Sequence, residues 1–302
     1  MSLKYSPLHN ESNFPPANLT LNPTSPRTLF GLMMSGIAGL FTLMAIVPLV
    51  IILTYLLTKG INSLRLEVFT ELPPPPLVSG GGFGNAILGT VIMVGIGALI
   101  AVPLGIMAAI YLSEFSGGSQ FADWIRFATN VLSGVPSIII GVFAYSAIVL
   151  TTKSFSAWAG GFALAILMLP IIVRTTDESL KLVPQEIRQA SIGIGANNYQ
   201  TVLQVVLPAA LPAIITGITL AIARAAGETA PLLFTALFTQ YWTNWDNLLV
   251  EPTASLAVLV YNFAIVPFKN QQELAWGAAF ILVLLVLLTS IISRLATARK
   301  TY

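Results

Sequence analysis

Apolar residues do not alternate with polar ones in this chain; they run in long blocks. Residues 29–58, 85–112, 127–150, 155–173, 208–238 and 274–292 are nearly continuous Leu, Ile, Val, Ala, Phe and Gly. Each block is near or above the roughly 20 residues a helix needs to cross a hydrocarbon core. Lipid offers the backbone no hydrogen bonds, so a spanning segment must be a helix or a strand of a closed barrel. Barrel strands are short and alternate in polarity, and these blocks do neither. The pattern predicts an all-α polytopic membrane protein with six crossings.

Composition agrees with that pattern. Of 302 residues, 56% are hydrophobic and 9% charged, against roughly one-quarter charged in an ordinary soluble domain. Residues 1–28 are polar and rich in Pro, Asn and Ser, which predicts a disordered tail with no apolar signal core. Residues 29–302 are expected to form one membrane domain. Cysteine is absent and the single histidine, His9, lies in the tail, so the sequence predicts no disulfide, no metal centre and no cofactor. A net charge of +2 without a basic patch argues against nucleic-acid binding.

The sidedness of the charges is more telling. With six crossings, both termini share a side with loops 113–126 and 174–207. That side holds Lys4, Arg27, Arg126, Arg174, Lys181, Arg188, Arg294, Arg299 and Lys300, and the other holds Lys59, Arg65, Lys153 and Lys269. Nine against four is a positive-inside bias, which places both termini in the cytoplasm.

The first outer loop joins a stiff Pro73–Pro76 run to flexible Gly80–Gly82, a connector rather than a phosphate cradle. No lysine follows a glycine, so the Gly-Lys-Ser/Thr ending of a P-loop is missing and this chain is not expected to hydrolyse ATP. The outer loop 239–273 carries Tyr241, Trp242 and Trp245, rings suited to the headgroup layer. An apolar stretch at 254–266 follows, which could lie on the membrane or dip into it.

Residues 184–198 are too polar to span and are helix-prone. Pro184 suits a first turn, Glu186 the positive end of the helix dipole, and Gly195 a C-terminal stop. Small Ala190 and Ser191 leave a slim helix able to enter a groove on another protein. Gln189-Ala190-Ser191, three residues, Gly195, nine residues, then Val205-Val206-Leu207-Pro208 resembles the cytoplasmic loop of the permeases of bacterial ABC importers. The family pattern there is Glu-Ala-Ala, Gly, and Ile-x-Leu-Pro at the same spacing. The resemblance implies a coupling helix that plugs into an ATPase subunit, with Glu186, Arg188, Gln189, Ala190, Ser191 and Gly195 as coupling residues. Gln189 replaces the usual Glu.

In the fifth block, Arg224 and Glu228 stand four residues apart, on one helical face near mid-bilayer. Burying an arginine in a membrane costs about 2.5–3.5 kcal/mol even on the lenient insertion scale, so such residues usually face a cavity and carry function. The alternative is a structural pair that fixes helix packing. Ala223, Ala225, Ala226 and Gly227 keep this helix thin, Pro231 permits a kink and Thr229 adds a hydroxyl. A planar guanidinium suits tetrahedral oxyanions. Glu228 could hold Arg224 in the empty passage, or accept a hydrogen bond from protonated phosphate, which sulfate cannot donate.

The run Arg224 to Pro231 is similar to the fifth-span signature of the phosphate-specific permeases. So are Asn85–Thr90, Ile110–Glu114 and Ser133–Phe143, where Pro136 is read as a helix kink. Length and the short segment before the first block resemble the A-type subunit. The resemblance, over about 82–296, implies a type I ABC importer permease fold in the bacterial inner membrane. It further implies phosphate import, with Arg224, Glu228 and Thr229 in the substrate pathway. The implied partners are a second permease subunit, two ATP-binding subunits, an extracytoplasmic phosphate-binding protein and membrane lipid. An importer for sulfate or molybdate, or an ion-coupled secondary transporter, remains the alternative.

Overall fold

A computed structural model describes residues 25–244, 246–247 and 250–298. Most of the expected disordered tail, with Lys4 and His9, lies outside the described residues, as do Trp245, Arg299 and Lys300. By contact the chain divides into two units, Met1–Thr54 and Tyr55–Tyr302.

Helix α1 (Pro26–Asn62) makes up the described part of the first unit and runs on past it. It starts where the Ser25 hydroxyl accepts the Thr28 N–H at 3.2 Å. The tail expectation is therefore corrected at Pro26–Thr28, which belong to the helix. Within α1 the Thr42 hydroxyl donates to the Ala38 carbonyl at 2.8 Å, which satisfies a polar atom inside an apolar helix.

The second unit opens with the single turn α2 (Glu67–Thr70) and the Pro/Gly connector. Gln271 Nε2 donates to the Pro74 carbonyl at 3.1 Å, so the connector is fastened to the chain's last helix. Helix α3 (Gly84–Ile110) continues through a π turn, Tyr111–Phe115. Helix α4 (Gln120–Gly134) begins at the cap Ser119, and α5 (Ser137–Ala144) passes through a second π turn into α6 (Leu150–Thr152). Next comes α7 (Ala157–Lys181), capped by Ser156, whose hydroxyl accepts the Ala159 N–H at 3.2 Å. The short helices α8 (Gln185–Gly193) and α9 (Asn198–Thr201) precede a third π turn and α10 (Leu207–Ala226). The chain finishes with α11 (Ala230–Thr235), α12 (Leu256–Ala264) and α13 (Lys269–Ala298).

The core of this unit is the α3–α7 pair, the most extensive helix contact, with α10 packed on α7 and touching α3. Met93, Leu164, Met168 and Ile172 are fully buried there. Apolar helices gain little from hiding apolar surface in lipid, so small residues that let backbones approach matter more. A β-carbon on Gly97 would stand 3.2 Å from Leu164 Cβ, which shows how closely α3 and α7 meet.

The apolar stretch at 254–266 is partly covered by the chain itself, with Tyr261 and Ile265 left exposed. Helix α12 packs on α13 and α3, and Leu256, Val258 and Leu259 are buried. Its start is fixed by Thr90 of α3, whose hydroxyl accepts the Leu256 N–H at 2.9 Å and donates to the Ala86 carbonyl at 2.8 Å. Tyr241 and Trp242, in the loop before it, are exposed.

Two spans differ from the expected pattern. Residues 127–150 are bent more sharply than a kink within one helix, because α4 ends at Gly134 and the α5–α6 segment sets off at 106° to it. Proline accounts for the break: Val135 and Pro136 are extended, and Pro136 has no N–H to continue the ladder. Helix α4 starts seven residues ahead of the expected block, at Gln120, and carries Asp123 and Arg126, so its polarity hides it from a search for apolar runs. Residues 208–238 are also not one helix, since α10 stops at Ala226. Five helices are long and apolar enough to cross a membrane among the described residues, and the count is six if the bent α4–α6 pair is one span.

Candidate functional site

The end of α10 is built by its sequence. Gly227 caps the helix with its N–H on the Arg224 carbonyl at 3.1 Å, and the Glu228 N–H reaches the Ala225 carbonyl at 3.2 Å. These tightened i→i+3 bonds close the last turn. Pro231 then falls in the first turn of α11, where its missing N–H costs nothing. Glu228 and Thr229 accordingly sit in the link between two helices, which corrects the expectation of a continuous helical face and of a proline kink inside it.

The pair nevertheless stays together: Arg224 Nε lies 3.6 Å from Glu228 Oε1. The two ends of the pair differ in exposure. Glu228's side chain is 17% exposed, whereas Arg224's is 57% exposed. Ala209, Ala213, Thr216, Leu220, Arg224 and Gly227 are all exposed and follow one another at three- or four-residue steps, so they form one stripe along α10. Thr229 is half-buried at the head of α11.

Below Arg224, α10 and α13 enclose a cleft of about 160 Å³ lined by Thr216, Thr219, Ser290, Ser293 and Arg294, among others. Thr219 and Ser293 hydroxyls are 2.5 Å apart across it. Sequence reasoning missed these hydroxyls, whose only signal was their occurrence within apolar blocks.

The second candidate region is α8. Pro184 occupies the cap position with extended backbone, one residue earlier than expected, and Glu186 lies in the first turn. The helix ends at Gly193, short of the expected 198, and Gly195 reverses the chain with φ +94°. The Gly195 N–H bonds the Ile192 carbonyl at 2.9 Å and the Ala196 N–H bonds the Ser191 carbonyl at 3.2 Å, the paired pattern of a Schellman stop.

Its six sequence-predicted residues do not share one face. Glu186, Gln189, Ala190 and Gly195 are exposed, together with Ile187, Ile192 and Ile194. Ser191 is buried, its hydroxyl 3.0 Å from that of Thr201. Arg188 also turns inward, donating to the Leu180 carbonyl at 2.7 Å and forming an ion pair with Glu114. Glu114 had no assigned role in the sequence, because nothing local marks a partner 74 residues away.

The family described as binding-protein-dependent transport system inner membrane component matches residues 101–302. The phosphate transport system permease protein PstA of Yersinia pestis is 43% identical over 254 residues, covering 84% of this chain and 85% of that protein. PstA of Haemophilus influenzae is 43% identical over 268 residues, 89% of this chain and 94% of its own length. Two solved structures share the fold. A chain of a bacterial alginate ABC transporter aligns with TM-score 0.58 at 12% identity over 90% of this chain and 94% of its own. One of the MetNI methionine ABC transporter, in inward-facing conformations, aligns with TM-score 0.55 at 19% identity over 72% and 94%. This chain belongs to the binding-protein-dependent transport permeases, and within them to the PstA family.

Proposed function

We propose that this chain is one of two permease subunits of an ATP-driven phosphate importer and that the passage runs along the exposed stripe of α10. The observation that carries this reading is Arg224. A cation on a lipid-exposed surface of a membrane helix is costly, and Arg224 is half-exposed on a stripe of mostly small residues, with Glu228 beside it. A second subunit applied to that stripe would turn the exposed guanidinium into a lining group of an enclosed path. The fork of the guanidinium then replaces part of the hydration of a tetrahedral anion. Glu228 accepts a hydrogen bond from the protonated oxygen of phosphate, and Thr229 adds a hydroxyl nearby. Both PstA relatives at 43% identity are phosphate transport permeases, which supports the choice of anion.

In this reading ATP hydrolysis is supplied by two partner ATPase subunits, one of which receives the exposed face of α8. A binding protein delivers phosphate on the side of the 239–255 loop. Both termini lie in the cytoplasm, as the distribution of basic residues supports. ATP-dependent uptake of labelled phosphate by the reconstituted complex, with sulfate as competitor, tests the whole assignment. Uptake insensitive to ATP, or equal competition by sulfate, would contradict it.

A further inference from the structure

Glu114 and Arg188 form the most deeply buried ion pair among the described residues, with side chains only 8% and 13% exposed. Glu114 sits in the π turn that prolongs α3, and Arg188 in the middle of α8. Each is further held. The Ser113 hydroxyl donates to Glu114 Oε1 at 2.9 Å. Arg188 Nη2 donates to the Leu180 carbonyl at 2.7 Å and Nε to the Val183 carbonyl at 3.4 Å. One guanidinium therefore fastens the end of α7, the body of α8 and the end of α3.

The same π turn grips the loop a second time. Phe115 stacks on Tyr199 of α9, with ring centroids 4.9 Å apart and planes 26° apart. It also receives α4, since Arg126 Nη2 donates to the Leu112 carbonyl at 3.0 Å. π turns are rare and widen a helix locally, and they concentrate where function needs a side chain re-aimed. Here the widening occurs where α3 meets the docking loop.

We infer that the Glu114–Arg188 pair is the mechanical link that makes the docking helix α8 and the α3–α7 pair a single moving body. This rests on the proposed docking of an ATPase on α8. Covalently, α8 is tied only to α7 on one side and, through α9, to α10 on the other. Those connections, with the Ser191–Thr201 hydroxyl contact, lead a push on α8 to α7 and α10 but give it no direct hold on α3. The buried pair gives α8 a direct, directional hold on α3, and α3 is the main partner of α7. Glu114 and Arg188 are thus positioning residues for energy coupling: they touch neither phosphate nor ATP.

The test uses the full reconstituted complex. Glu114→Gln keeps the shape but leaves Arg188 without its counter-charge, while Glu114→Asp keeps the charge on a shorter arm. Transport per ATP hydrolysed is expected to fall about fivefold or more with Glu114→Gln, the range of a coupling energy lost between two sites. ATPase activity stays near the wild-type level, and Glu114→Asp recovers most of the ratio. A wild-type ratio in Glu114→Gln overturns the link, and so does a parallel loss of ATPase activity and transport, which marks a purely structural role. Should Glu114→Gln fail to assemble, a distance measurement still decides. The chain has no cysteine of its own, so spin labels at Met107→Cys on α3 and Gln185→Cys on α8 report one distance. An unchanged distance between nucleotide-free and ATP-bound complexes supports the link, and a change overturns it. A cross-link from Ile192 to the ATPase, made in the otherwise unaltered chain, checks the docking reading separately. Its absence overturns docking and link together, whereas its presence with a changed distance overturns the link alone.

Discussion

Gly141 of α5 lies against Pro231 at the head of α11, so close that a β-carbon on it would stand 2.7 Å from the proline's Cα. Both residues are buried. The neighbour is backbone rather than a flexible side-chain end, so it cannot step aside without moving α11. The Glu228–Thr229 link is anchored directly to that helix, with the Leu233 N–H on the Thr229 carbonyl at 3.2 Å. Gly141→Ala is expected to destabilise the subunit by about 1–3 kcal/mol, the usual cost of overpacking, and to lower phosphate uptake more than complex assembly. Thermal denaturation of the purified complex beside uptake measures both. Unchanged uptake would show that the link does not depend on this contact.

Much of this architecture was legible in the sequence because lipid enforces simple rules. Long apolar blocks located α1, α3, α7, α10 and α13, with helix boundaries shifted where polar residues extend a helix beyond the block, as at Arg174–Lys181. Pro136 and Pro231 marked bends, but the blocks concealed that the helices end before them. The breaks at Val135–Pro136 and at Gly227–Thr229 fall inside apolar runs, where hydropathy cannot distinguish a straight helix from two helices meeting at an angle. The direction of side chains was also hidden. Arg188 and Ser191 belong to a motif that reads as a docking surface, yet both face inward, because their partners Glu114 and Thr201 come from segments whose proximity only the fold creates.

The topology expectation can be checked without a structure. Cysteines introduced singly at Ala17 and Ser79 should show opposite accessibility to an impermeant thiol reagent, with Ser79 labelled from outside. The reasoning is the nine-to-four distribution of basic residues. Equal labelling from outside would reverse the assigned orientation or remove a crossing.

Docking on α8 predicts two different failures. Ala190 is exposed, so Ala190→Trp should insert and fold normally while displacing the ATPase by bulk alone. Gly195→Val acts through the backbone, because φ +94° is strained for a branched residue and the Schellman stop would be lost. ATPase co-purification and uptake are measured for both. Wild-type retention and transport in both variants would place the docking surface elsewhere.

The central claim is that Arg224 binds the transported anion, and uptake of phosphate and sulfate in three variants tests it most directly. If the guanidinium forks onto phosphate, Arg224→Ala removes two charge-assisted hydrogen bonds at about 1.5–3 kcal/mol each, so phosphate uptake should fall roughly 100-fold or more. Arg224→Lys should recover little, since a point charge lacks the fork and sheds its proton more readily when desolvated. Glu228→Gln should retain some transport and lose discrimination against sulfate. ATPase activity and assembly serve as controls and should stay near wild type. Phosphate uptake by Arg224→Ala at the wild-type rate would contradict the account and leave the Arg224–Glu228 pair as helix packing alone.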